Sequence, residues 1–171
     1  MTVWCINLKD NRDGKSLPEG KRKTKEKIEY CLTNKIIAIG WAPAETVNTS
    51  WEEYYRATED YYANRPNDLR GFHCAANAIT RMKKGDLVWF KEDVNHVHLF
   101  EIISVKPELE NWKREIDVGP YRKVKEKGLW TLAELMEYSK QFSKLYARHT
   151  MEKLSEKRAD IIKVTKLLLL K

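Results

Sequence analysis

Residues 86–103, DLVWFKEDVNHVHLFEII, limit the fold of this chain more than any other stretch. Residues 86–91 and 96–103 are short runs rich in Val, Ile, Leu, Trp and Phe. The turn formers between Asp93 and Asn95 separate them, which predicts a β-hairpin. Just upstream, Ala75, Ala78, Ile79 and Met82 recur at helical spacing and Gly85 sits where a helix ends, predicting a helix over about residues 72–84. A helix delivered straight into a hairpin belongs to a mixed α/β architecture.

The rest of the chain extends that pattern. Residues 2–8, centred on Trp4 and Ile6, read as a first strand, and residues 35–41, KIIAIGW, read as a buried strand closing on a glycine and a tryptophan. Ser50 and Glu53 have capping-box spacing, so a helix is expected from Trp51 to a point before Pro66, its tyrosines (Tyr54, Tyr55, Tyr61, Tyr62) serving mainly in packing. A further strand is expected through Ile116 and Val118 to Val124, interrupted at Gly119-Pro120. Thr131 and Glu134 form a second capping box, and Trp130 with Leu135 a hydrophobic staple. From there Leu132, Leu135, Met136, Phe142, Leu145 and Tyr146 form one helical face. One helix to the end would protrude about 60 Å at 1.5 Å per residue, so a break is expected near residues 149–150.

With 171 residues, 42% of them apolar, the chain suits one ordinary domain with an appendage. The net charge of +7 favours an anionic partner, although a solvated lysine-rich surface gives the same count. The cluster KRKTKEK (Lys21, Arg22, Lys23, Lys25, Lys27) carries the same two readings: a phosphate-contacting patch or an exposed face. Three scattered cysteines argue against a secreted disulfide framework. No apolar run suits a signal peptide or reaches membrane-spanning length, so a cytoplasmic, membrane-free protein is expected.

Four segments then fall in a telling order: VWCINLKDNR, IAIGW, ANAITRMKKGDLVWF, and HLFEI followed by GPYRKVKEKGLW. The series resembles the EVE/YTH-like domains of the PUA-like superfamily, including those at the front of modification-dependent restriction systems, over residues 1–130. The resemblance implies a small twisted β-barrel flanked by helices, with residues 131–171 as a C-terminal helical extension. It also implies a nucleic-acid reader in a phage-defence setting that captures a flipped and modified base of methylated DNA.

Such a reader must recover the unstacking energy in an aromatic pocket, where stacking returns about 1–3 kcal/mol per base. Trp41 matches the tryptophan that family members carry after this strand, and Gly40 before it lets the backbone approach a ligand closely. The alternative for Trp41 is a plug at the barrel end. Asn7 and Asn11 match positions where YTH relatives place polar base contacts, and each reads first as a strand-end or turn asparagine, second as such a contact. Asn77 lies near where relatives face the groove, or else is a plain helix-surface amide. Trp89 alternates with Val88 and Phe90 and reads first as core, second as part of the site. Tyr121, Arg122 and Lys123, with Lys113, Arg114 and Lys125 nearby, match a basic strand suited to phosphate contact. Ile103-Ser104 stands where the YTH pattern has a second tryptophan, a departure from the full methyl-adenine cage.

Other classes are less well served. No carboxylate set suits a metal-dependent nuclease, and His96-x-His98 lacks paired-ligand spacing for zinc. No phosphate loop or nucleophile elbow appears, so neither catalysis nor a cofactor is expected. An RNA reader is the nearest alternative, since 2′-hydroxyl recognition depends on groove shape. An interaction protein, associating with itself or an effector subunit through the C-terminal helical segment, is the alternative of a different class.

Overall fold

The computed structural model of the protein describes residues 1–8, 18–41, 50–110, 114–145 and 151–170, excepting the side chains of 18–23 and 114. Its framework is a curled half-barrel of six strands. These are β1 (Val3–Ile6), β2 (Ile36–Ala38), β3 (Leu87–Lys91), β4 (His96–Ile102), β5 (Tyr121–Thr131) and β6 (Met151–Lys153). They lie side by side in the order β2-β5-β4-β3-β1-β6. Only the β1–β3 pairing is parallel. The helices are α1 (Pro18–Asn34), α2 (Trp51–Tyr62), α3 (Pro66–Arg81), α4 (Leu132–Tyr138) and α5 (Ala159–Leu168).

The expected hairpin is β3–β4. Its turn is held by the Asp93 carboxylate, which accepts the backbone N–H groups of Asn95 (2.6 Å) and His96 (2.7 Å). Both capping boxes are used as caps. Ser50 Oγ accepts the Glu53 amide, and Thr131 and Glu134 satisfy each other's backbone reciprocally. α3 starts at Pro66, six residues earlier than helical spacing alone suggested, because a proline at the first helical position has no N–H to lose.

Period-2 alternation sorts the strands' apolar residues into two cores. Trp4, Ile6, Val88, Phe90, Phe100, Ile102 and Val124 belong to one, together with buried residues of α1, α2 and α3. Val3, Cys5, Leu87, Trp89, Val97 and Leu99 belong to the other, with Leu135, Phe142, Leu145, Ile161 and Val164. A sheet buried on both faces reads as continuous apolar runs, which is why VWCI and LVWF lack a polar alternate.

The segment after Thr131 therefore covers a face of the sheet. The expected long helical face is broken: α4 ends at Tyr138, a 3₁₀ turn spans Lys140–Lys144, and β6 pairs antiparallel with β1. Three residues of strand leave too short a periodic signal to be read in advance. The expected break at residues 149–150 falls outside the described residues.

Two polar devices pin the sheet. Asp86, just before β3, accepts N–H groups from Thr2 (2.8 Å), Lys83 (3.0 Å) and the Trp4 indole (3.0 Å). His98, largely buried on β4, places Nδ1 2.7 Å from Glu126 and Nε2 2.9 Å from Glu92. Its two nitrogens thus face separate carboxylates instead of converging with them on one point. Among the described residues, no group of three or more His, Cys, Asp and Glu is arranged to hold a metal ion.

Candidate nucleic-acid interface

Trp41 lies three residues past β2, where the chain leaves the sheet edge, and its φ is +68°. That left-handed conformation costs a side-chain-bearing residue about 1–2 kcal/mol, so the surroundings must enforce it. Three contacts do so. The Trp41 amide donates to Asp117 Oδ1 at 3.0 Å, and its carbonyl accepts the Tyr54 hydroxyl at 3.3 Å. The indole lies against Gly71 of α3, where an added Cβ would stand 3.0 Å from Cζ2. The ring is partly buried, packed on the first core without being enclosed by it.

Asp117 is the centre of this arrangement. It too has a positive φ (+55°) and is nearly buried. Its Oδ2 meets the ammonium of Lys27, itself only 4% exposed, at 3.0 Å. Its carboxylate fills the space beside Gly40 that any larger residue would need. The requirement for glycine before Trp41 is therefore made by Asp117. Gly119 completes the turn, donating to Ile39 O at 2.8 Å. Burial raises the Tyr54 hydroxyl well above its ordinary pKa, so it remains a proton donor to the Trp41 carbonyl.

Lys27, Asp117, Tyr54 and Gly71 were not among the residues expected at the site. Lys27 corrects the reading of its cluster as either phosphate patch or exposed face, because this lysine points inward to a carboxylate. Lys25 is on the surface, 3.6 Å from Glu29, and the side chains of Lys21, Arg22 and Lys23 are outside the described set.

The other expected residues scatter. Asn7 is partly buried just beyond β1, and Asn11 lies outside the described residues. Asn77 is exposed on α3. Trp89 belongs to the second core, on the sheet face opposite the first core against which Trp41 packs. Its indole donates to Thr165 Oγ1 at 2.9 Å, and its ring meets Trp130 and Phe142 edge-on. As placed, it offers no face to a base.

The basic strand also divides. Tyr121 and Arg122 pair with Ala38 and Ile37 of β2, close in sequence to Trp41, yet both side chains are buried. The Tyr121 hydroxyl donates to Glu108 at 3.3 Å. Arg122 is fully buried, and its Nη2 donates to the carbonyls of Ser104 (2.8 Å) and Val105 (3.3 Å). Among the described residues its Nε and Nη1 find no partner, and burial lowers its pKa. A guanidinium held there fastens a loop and cannot reach a phosphate outside. Lys123 and Lys125 are exposed, Lys123 in an ion pair with Glu108 at 2.8 Å.

Among the described residues, no helix is long and apolar enough to cross a membrane. A family model described as Domain of unknown function (DUF8426) matches residues 16–155, which include β2 to β6 and every described contact around Trp41. No curated protein matches the chain.

Proposed function

Because the chain belongs to the family described as Domain of unknown function (DUF8426), its role has to be read from its own site, and we propose that it is a nucleic-acid-binding module that captures a flipped, modified DNA base against Trp41. The reading carries with it the likeness to EVE/YTH domains of the PUA-like superfamily. A place in phage defence follows from that likeness alone.

What supports it above all is the strained backbone of Trp41. A tryptophan in a left-handed conformation, held by a buried Lys27–Asp117 pair and by Tyr54, is a costly arrangement for a ring that merely fills space. Such outliers concentrate at binding sites, where strain fixes the geometry before the ligand arrives. The ring is only partly buried and so keeps surface for a partner. The net charge of +7 suits a polyanion.

The test is a binding panel of single- and double-stranded DNA and RNA, unmodified or carrying N6-methyladenine or 5-methylcytosine, at two salt concentrations. Trp41→Ala should lower affinity for the preferred modified DNA by roughly 1–3 kcal/mol with the salt slope retained. Equal binding of every oligonucleotide, unchanged by Trp41→Ala, refutes base capture.

A further inference from the structure

On α3, Gly71 and His73 point about 200° apart at 3.6 residues per turn. The Trp41 indole occupies the Gly71 flank. The other flank carries a second aromatic assembly. The Tyr55 and His73 rings are stacked, with planes 5° apart and centroids 5.8 Å apart. Tyr55 also meets Phe72 (5.0 Å) and Trp51 (6.4 Å). His73 is fixed at one edge by Glu59, 2.8 Å from Nε2, yet 37% of its side-chain surface is open. The core-facing side of α3 is taken by Phe72, Ala75, Ala76 and Ile79. In the solvent arc between the two flanks lie Arg70 and Asn77, both exposed.

We infer that α3 is crossed by a single nucleic-acid strand, its captured base against Trp41 on one flank and a neighbouring base stacked on His73 at the end of the Tyr55–His73 pair on the other. This rests on the base-capture reading of Trp41. The span is the width of a helix, roughly 10 Å, a distance that a di- or trinucleotide covers. The rings are held before binding, one face of His73 by Tyr55 and one edge by Glu59, so little side-chain ordering opposes stacking. Asn77 is placed to reach a base edge or a sugar on the way, giving an exposed amide a donor and an acceptor role.

Charge fixes where the phosphates run. α2 carries Glu52, Glu53, Glu59 and Asp60 against Arg56 alone, so its side of the track disfavours a phosphate. The backbone is therefore assigned to Arg70 on α3, and the His73 platform takes a base by stacking only. Affinity and salt dependence are thus carried by different residues.

Full-length protein and fluorescein-labelled DNA octamers, with adenine, N6-methyladenine or 5-methylcytosine at the centre, provide the test, alongside the three free nucleosides. His73→Ala is expected to weaken octamer binding roughly 5- to 150-fold, leaving nucleoside affinity and salt slope unchanged. His73→Phe, which keeps a stacking ring, is expected to restore it. Arg70→Gln is expected to reduce the salt slope by about one phosphate contact. Thermal unfolding of each variant confirms an intact fold. Octamer affinity unmoved by His73→Ala, while Trp41→Ala abolishes selectivity, overturns the track and spares base capture. Octamer affinity lost in His73→Ala but unmoved by Trp41→Ala sustains the second platform and overturns base capture. Octamers bound no better than free nucleosides overturn the track.

Discussion

Replacing Asp117 by Asn tests the physical basis of the site. Asn retains a carbonyl oxygen to accept the Trp41 amide, now 3.0 Å from Oδ1, and preserves side-chain volume. What it removes is the charge opposite Lys27, whose ammonium is 3.0 Å away and almost without solvent. Breaking a buried ion pair from one side costs about 3–5 kcal/mol, because the remaining charge stays desolvated. Against a total stability of about 5–15 kcal/mol this is a large fraction. With a urea slope of about 2 kcal/mol/M, the unfolding midpoint should fall by roughly 1.5–2.5 M. Lys27→Met should cost a comparable amount by taking the ammonium, 3.0 Å away, from a nearly buried carboxylate. The double variant, with neither charge, should recover most of the loss, so the two effects must be strongly non-additive. Urea denaturation of the four proteins gives the coupling directly. A cost below about 1 kcal/mol for Asp117→Asn, with additivity in the double variant, would mean a solvated pair of the surface kind and would refute the account of how Trp41 is held.

Three further outcomes follow from other contacts. Arg122→Met removes two buried nitrogens that find no partner among the described residues, but also the Nη2 bonds to the Ser104 and Val105 carbonyls, so stability should fall by about 1–3 kcal/mol with the salt slope of nucleic-acid binding unchanged; a slope lowered by one would return Arg122 to phosphate contact. Burial alone raises the pKa of Asp86, but the N–H groups of Lys83, Thr2 and the Trp4 indole outweigh it and hold the carboxyl below its ordinary value. A depressed carboxylate stabilises above the unfolded pKa of about 3.9 and loses that contribution as pH falls through its folded value, so urea midpoints between pH 5 and pH 2 should drop more steeply for wild type than for Asp86→Asn. Gly71→Ala gains up to about 1 kcal/mol of helix propensity, but its methyl, 3.0 Å from a Trp41 ring held in place, must push the ring aside, so no net stabilisation is expected and base binding should weaken; an unaltered affinity would show that the indole's position does not matter.

Much of the fold was legible because its signals are local. The β3–β4 hairpin is marked by its turn, α2 and α4 by their capping boxes, and Trp41 by the glycine before it and the apolar run before that. What escaped depends on pairing across long separations. β6 is three residues long and is a strand only because β1 offers it an edge. Lys27 and Asp117 are 90 positions apart, and nothing near either one announces a partner. Lys27 stands in a basic run whose composition speaks for solvent. Arg122 shows the same confusion in reverse, since a basic strand reads alike whether its arginine faces water or fastens a loop. The left-handed backbone of Asp117 also has no local marker, because aspartate tolerates but does not require that conformation.

The two-sided burial of the sheet also constrains where a ligand can sit. With α1, α2 and α3 packed on one core, and α4, the 3₁₀ turn at Lys140–Lys144 and α5 on the other, neither central face is free to act as a stacking platform. Trp89 illustrates the consequence: a large aromatic on a central strand, spent on the second core. On the proposed reading, recognition falls to the sheet's edges and to the seams where helices meet it. Trp41 stands at such a seam, where β2, the edge strand, runs out against α3. A short edge strand has little pairing of its own to hold its end, so the position of the indole there must come from side chains. Tyr54 on α2, Gly71 on α3 and Asp117 before β5 converge on that one residue, and Lys27 on α1 holds Asp117. Four separate elements, each anchored in the first core, thus fix an edge residue that the sheet alone would leave loose.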